Sequence, residues 1–183
     1  MNYIFLADGY ETVEALTVVD MMRRASLPVT MISMNPSLTV TTSHRISMQA
    51  DALFSETDFS DAEMLILPGG MPGTTHLAES SALCTLVTDH CKAGGNIAAI
   101  CAAPTVFGQL GLLEGRRACC YPGLEERLLG AQTTTDPVTV DGNIITSRGM
   151  GTAIAFAAAI IEKLAGSEKA TAILDSIVYG GER

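Results

Sequence analysis

Two kinds of hydrophobic spacing alternate along this chain. Short unbroken apolar runs, such as Met64-Leu65-Ile66-Leu67 and Ile97-Ala98-Ala99-Ile100, lack a period of two, as strands covered on both faces do. Between them lie stretches whose apolar positions recur every three or four residues, the spacing of a helix face. The pattern predicts strands at Asn2–Ala7, Val29–Met34, Met64–Leu67, Asn96–Ile100, Ala118–Tyr121 and Ile144–Thr146. It predicts helices over Glu11–Ala25, Ser80–Ala93, Pro104–Leu110, Gly151–Leu164 and Glu168–Val178. Ser37–Gln49 holds short alternating pieces and reads as a hairpin, and Asp141-Gly142 is a two-residue hairpin signal. Such alternation implies an α/β sandwich with a mainly parallel sheet, whose ligands lie beyond the carboxyl ends of its strands.

Composition narrows the class. The chain has 183 residues, room for one substantial core, and is read as a single domain over 1–183. Hydrophobic residues at 48% and charged residues at 17% exclude a disordered chain. Trp is absent, so Ala, Val, Ile, Leu and Met must build the core. Acidic residues outnumber basic ones, 20 to 11, for a net charge of −9, which argues against nucleic acid or an anionic membrane as partner. The longest uncharged apolar run, Met150 to Ile161, is about half what a membrane-spanning helix needs. No basic segment precedes the first strand, so no secretory signal is read. Cys84, Cys91, Cys101, Cys119 and Cys120 are odd in number and match no zinc or redox spacing, and adjacent Cys119-Cys120 cannot pair easily. A reduced, cytoplasmic protein without metal or cofactor is expected.

Three segments carry candidate chemistry. In Ile97-Ala98-Ala99-Ile100-Cys101-Ala102-Ala103-Pro104 a buried strand ends at a cysteine, and Pro104 suits the first turn of a helix. This is the strand–nucleophile–helix elbow with Cys for Ser, and a helix N-terminus is expected to lower the thiol pKa. A buried apolar cysteine is the other reading of Cys101, and the one favoured for the remaining four. In Leu67-Pro68-Gly69-Gly70-Met71-Pro72-Gly73 the glycines let backbone N–H groups approach a ligand, or simply end the strand in a tight turn. Glu14 falls between Val18 and Met21 on the apolar stripe of the first helix. Buried there it would be protonated and able to donate a hydrogen bond to a thiolate, unless it snorkels to the surface. Glu11 reads as a helix-end acid.

Together these segments resemble the ThiJ/PfpI superfamily and, within it, the branch of the Parkinson-disease protein DJ-one. The likeness spans Glu11 to Arg24, Leu67-Pro68-Gly69-Gly70, Ala98 to Pro104, and Thr146-Ser147-Arg148-Gly149-Met150-Gly151-Thr152. It implies a flavodoxin-like fold with helices on both faces, usually a homodimer using the first helix. It also implies that Cys101 is the nucleophilic, oxidisable cysteine, Glu14 its acid partner, and that Gly70 and Ala102, with Gly69, form the oxyanion pocket. A glyoxalase or deglycase acting on 2-oxoaldehydes such as methylglyoxal follows, with a non-enzymatic redox sensor or chaperone-like protein as the alternative. Tyr121 stands where many members have His, Ala102 where protease-like relatives have His, and Met150 where Pro is usual. Arg24 aligns with a basic residue near the pocket and His44 with one at the dimer interface, so both join Tyr121 as pocket candidates. His90 reads as a solvated surface residue, and His76 as the start of a helix after the glycine turn.

Overall fold

Strand β1 (Asn2–Leu6) is buried along its whole length in the computed structural model, which describes residues 1–180. The last three positions of the expected domain span 1–183 lie outside the described residues. The chain continues through α1 (Thr12–Arg24), β2 (Val29–Ser33), β3 (Thr39–Thr41), β4 (Ser47–Gln49), β5 (Ala52–Leu53) and β6 (Met64–Leu67). Then come α2 (Gly73–Glu79), α3 (Ser81–Lys92), β7 (Asn96–Ile100), α4 (Pro104–Gln109), β8 (Arg117–Ala118) and β9 (Gln132–Thr133). The hairpin β10 (Val138–Asp141) and β11 (Ile144–Ser147) leads to α5 (Ala153–Ala165) and α6 (Ser167–Ser176).

The main sheet has seven strands in the order β10-β11-β7-β6-β1-β2-β5. All neighbours are parallel except β10 with β11. Burial on both faces explains the unbroken apolar runs. Ile4, Ile66 and Ala98 face α1, α5 and α6, whereas Phe5, Leu65 and Ile97 face α3 and α4. Setting aside the short hairpin and β5, the parallel strands follow the 2-1-3-4-5 order of flavodoxin-like sheets, with the topological switch between β1 and β6. Ligands of such sheets bind above that switch, at the carboxyl ends. Among the described residues no helix is long and apolar enough to cross a membrane.

Three local expectations change. The strand expected over Ala118–Tyr121 is only the two-residue β8, paired with β9 in a separate ribbon, and Cys119 to Tyr121 leave it to run beside Cys101. The Asp141-Gly142 hairpin forms one residue later: Asp141 pairs with Ile144, and the loop is Gly142-Asn143, with Gly142 at φ +61°. Helix α2 is touched only by the reading of His76 as a helix start, and edge strand β5 is not predicted, since α2 carries one buried large apolar residue, Leu77, and β5 is two residues long. The hairpin expected within Ser37–Gln49 is present as β3–β4.

If the layers are packed as described, Ile66→Ala in β6 lowers unfolding free energy by about 2–5 kcal/mol. Val140→Ala on half-exposed β10 costs under about 1 kcal/mol. Urea denaturation of both variants checks this, and equal losses would contradict the assignment of β6 to the centre.

Candidate active site

Strand β7 ends at Ile100, and the next residue turns sharply. Cys101 sits at φ +65°, in the left-handed region that residues with a Cβ seldom occupy. Two backbone hydrogen bonds hold it there: its N–H donates to the Ser147 carbonyl (2.9 Å), and its carbonyl accepts from the Tyr121 N–H (2.8 Å). Pro104 opens α4, and the Thr105 hydroxyl donates to the Ala102 carbonyl (2.7 Å), closing the turn. This is the expected elbow, with its unusual conformation at the nucleophile.

The glycine turn after β6 supplies the other wall. The Gly69 N–H donates to Glu14 Oε2 (3.0 Å), and its carbonyl accepts from the Glu11 N–H (2.8 Å). A Cβ on Gly69 would stand 2.5 Å from the Cys101 Cβ and 2.6 Å from Glu14 Oε2, so only glycine lets thiol and acid close on each other. Gly70 is at φ +92°, and a Cβ there would collide with the Glu11 backbone nitrogen. Backbone N–H groups of Ala102 and Gly70 hydrogen-bond the Cys101 sulfur, as does the Glu14 carboxyl group.

Glu14 is 1% exposed, on the buried stripe of α1 with Val18 and Met21. Glu11 caps the helix, its Oε2 accepting from the Glu14 N–H at 2.7 Å. Burial pushes the Glu14 pKa up to about 7, assisted by the Glu11 charge and opposed by the hydrogen bonds from Cys101 and Gly69. The expectation of a lowered thiol pKa is corrected. Burial pushes Cys101 up to about 12, the Glu14 carboxylate adds to the rise, and the Ala102 and Gly70 amides pull down more weakly. Helix α4 has only six residues, too short a dipole to outweigh burial. Two anions do not coexist here, so the pair holds a single negative charge once Glu14 ionises.

The other candidates divide. Tyr121, 53% exposed, reaches the site, with its ring beside Gly149. Arg24 does not: it pairs with Asp20 (2.7 Å) ten residues beyond Glu14, about 15 Å along α1. His44 is exposed in the β3–β4 turn, with Nδ1 3.1 Å from the Ser43 hydroxyl. His76 lies within α2 and meets the Asp8 carbonyl (2.9 Å). The solvated reading of His90 is overturned, because its ring packs over Gly95 and Nε2 is buried without a partner. All five cysteines are free, with Cys119 and Cys120 buried. Gly149 was missed as a site residue. A Cβ there would stand 3.9 Å from Glu14 Oε1, so the loop after β11 forms the third wall. Its motif stood out only through the family resemblance, since nothing in its local spacing marks a site. Among the described residues no group of three or more His, Cys, Asp or Glu is placed to hold a metal ion.

Known proteins share this arrangement of elements. The DJ-1/PfpI family model matches residues 2–163. Protein DJ-1 homolog B of Arabidopsis thaliana is 39% identical over 165 residues, 90% of this chain but 38% of that protein. The glutathione-independent glyoxalase DJR-1.2 of Caenorhabditis elegans is 39% identical over 113 residues, 61% of this chain and 60% of that protein. The chain thus spans less than two thirds of both relatives. Oxidized DJ-1 of Toxoplasma gondii superposes with a TM-score of 0.94 at 32% identity, covering 98% of each chain.

The raised Glu14 pKa makes stability fall with pH. The native state holds the proton up to about 7, whereas the ordinary value is 4.5. The favourable contribution is therefore complete below 4.5 and lost as pH rises through 7, a change of roughly 3 kcal/mol. Glu14→Gln removes this dependence, so the variant gains on wild type between pH 5 and 8. Urea titrations across that range check it, and a constant difference would show that Glu14 does not bury its charge.

Proposed function

This chain belongs to the DJ-1/PfpI family, and from that membership and the surroundings of Cys101 we propose a cofactor-independent glyoxalase acting on 2-oxoaldehydes such as methylglyoxal. The observation that carries the proposal is the buried carboxyl of Glu14, titrating near neutrality, against a thiol flanked by two amide donors. A relative named as a glutathione-independent glyoxalase supports the same chemistry. The family's adduct-cleaving, deglycase-type reaction would begin with the same attack.

Cys101 sulfur attacks the aldehyde carbon while its proton passes to Glu14. The carbonyl electrons move onto oxygen, which the Gly70 and Ala102 N–H groups stabilise by roughly 3 kcal/mol per donor. Glu14 returns the proton to give a hemithioacetal. Its carboxylate then removes the C1 hydrogen and protonates the ketone oxygen, forming an enediol. Reprotonation at C2 gives a thioester, and water cleaves the C–S bond to release lactate and the thiol. The aldehyde carbon is oxidised and the ketone carbon reduced, so no external redox partner is needed.

A second reading, a redox sensor, rests on the same amide donors and on a structural neighbour described as oxidized. Two equivalents of hydrogen peroxide would take the sulfur to sulfinate, releasing two waters, with the new oxygens facing the same N–H groups. A cytoplasmic location belongs to the proposal, in keeping with five unpaired cysteines. So does a homodimer, supported by half-exposed Val13 beside a depression of about 500 Å³ lined by Leu16, Met21, Ile154 and Ile177.

Fully reduced wild-type protein is expected to form lactate from methylglyoxal without glutathione. Cys101→Ser and Glu14→Gln each lose at least about a hundredfold in kcat/KM. Lactate formation by Cys101→Ser at the wild-type rate would remove the nucleophile. No turnover by wild type, with peroxide uptake confined to Cys101, would favour the sensor. For the dimer, light scattering should give about twice the 19.2 kDa chain mass, and a monomer mass at all micromolar concentrations rejects it.

A further inference from the structure

The loops that carry the site residues also carry exposed apolar side chains. Met71, Tyr121 and Met150 are each more than half exposed. Met71 follows the oxyanion donor Gly70, and Met150 follows Gly149. Tyr121 is tied to the nucleophile itself, its N–H donating to the Cys101 carbonyl (2.8 Å). Single exposed apolar residues need no explanation, but three on the loops of one site give it an apolar rim. The cation in these loops is turned elsewhere: Arg148 donates to the Thr135 carbonyl (3.4 Å) and its charge acts on the Cys120 thiol.

Gly149 leaves a gap between Tyr121 and the acid. Its backbone is extended, at φ 162°, so no conformational need requires a glycine there. A Cβ at this position would stand 3.5 Å from Tyr121 Cδ2 and 3.9 Å from Glu14 Oε1. Both are ordinary contact distances, so one carbon atom fits between ring and carboxyl without displacing either. The protein leaves that place empty of its own atoms.

The three walls then order a bound 2-oxoaldehyde. Its aldehyde carbon lies at the sulfur, with the oxygen on the Gly70 and Ala102 N–H groups. Glu14 Oε2 accepts from the Gly69 N–H beside Cys101, whereas Oε1 is the oxygen nearest Gly149. Since one carboxyl group must serve both carbons, the ketone carbon falls on the Oε1 side. Its substituent continues over Gly149 toward the Tyr121 ring. A methyl group fills the gap and stops, while a planar apolar group extends to the ring and gains an aromatic contact. A carboxylate there would bring a second anion to the acid.

We propose that Gly149 and Tyr121 form a shelf for this substituent, and that the site prefers 2-oxoaldehydes carrying a flat aromatic group to methylglyoxal. The inference rests on the glyoxalase reading of Cys101 and Glu14 and assigns the substrate class of that site.

Initial rates of mandelate formation from phenylglyoxal and of lactate formation from methylglyoxal give a ratio of kcat/KM values. Tyr121→Ala is expected to lower that ratio at least about fivefold, whereas Tyr121→Phe, which keeps the ring, holds it within about twofold. The ratio does not depend on how much of a variant is folded. Binding is read separately with 2-hydroxyacetophenone and hydroxyacetone, neutral analogues in which the aldehyde is reduced. In wild type the aryl analogue should protect Cys101 from iodoacetamide at a concentration at least about fivefold lower than hydroxyacetone, as peptide mapping shows. Tyr121→Ala closes that gap, and Gly149→Ala, whose methyl occupies the shelf, weakens protection by the aryl analogue. Equal protection by the two analogues in wild type, or a preference that survives Tyr121→Ala, overturns the shelf. Turnover of neither aldehyde overturns the glyoxalase reading alone, because protection requires binding and no reaction.

Discussion

The site depends on one close approach: Gly69 lies between the Glu14 carboxylate and Cys101 with no space for a methyl group. Three segments distant in sequence converge there: the helix after β1, the turn after β6 and the elbow after β7. The Gly69 N–H holds the acid, its carbonyl holds the Glu11 N–H at the start of α1, and Gly70 turns its own N–H toward the sulfur. The sheet order makes this possible. Because β6 lies between β1 and β7, the turn after β6 is adjacent to both α1 and the elbow. Burial of Glu14 is a consequence of that order, and the raised pKa is a consequence of burial.

The protonation chemistry follows from the same crowding. A helix N-terminus favours a thiolate, but α4 is short and the thiol is largely buried, so desolvation and the neighbouring carboxylate dominate. The two groups therefore titrate as one coupled pair that gives up a single proton before both can be charged. Attack on a carbonyl and oxidation by peroxide both need that proton to leave the sulfur. Catalysis and sensing therefore draw on one equilibrium, the position of a single proton between Glu14 and Cys101.

Much of this was legible in the sequence where a local signal matched a local cause. Apolar runs without alternation reported strands covered on both faces, and Met64–Leu67 and Asn96–Ile100 fell at their observed bounds. Glu14 stood out because an acid on an apolar stripe has few physical explanations. The elbow was visible because Pro104 marks a helix start directly after a buried strand. What stayed hidden depended on distant contacts. Gly149 joins the site only because β11 lies beside β7, and Arg24 leaves it because a helix rises 1.5 Å per residue while an alignment counts only residues. The thiol pKa was misjudged for the same reason: a dipole is local, whereas burial is a property of the folded whole.

The departure at Tyr121 bears on how the reaction must be organised. A histidine there could share proton transfers with the acid, but the Tyr121 ring lies beside Gly149. The three histidines are engaged elsewhere, at Ser43, at the Asp8 carbonyl and against Gly95. Among the described residues Glu14 is then the one group in contact with the sulfur that can accept and release a proton near neutral pH. The oxyanion is held by neutral N–H groups, so no cation offsets a second negative charge at the sulfur. An uncharged carbonyl therefore suits the sulfur, because the coupled pair of Glu14 and Cys101 already holds the one negative charge the pocket tolerates.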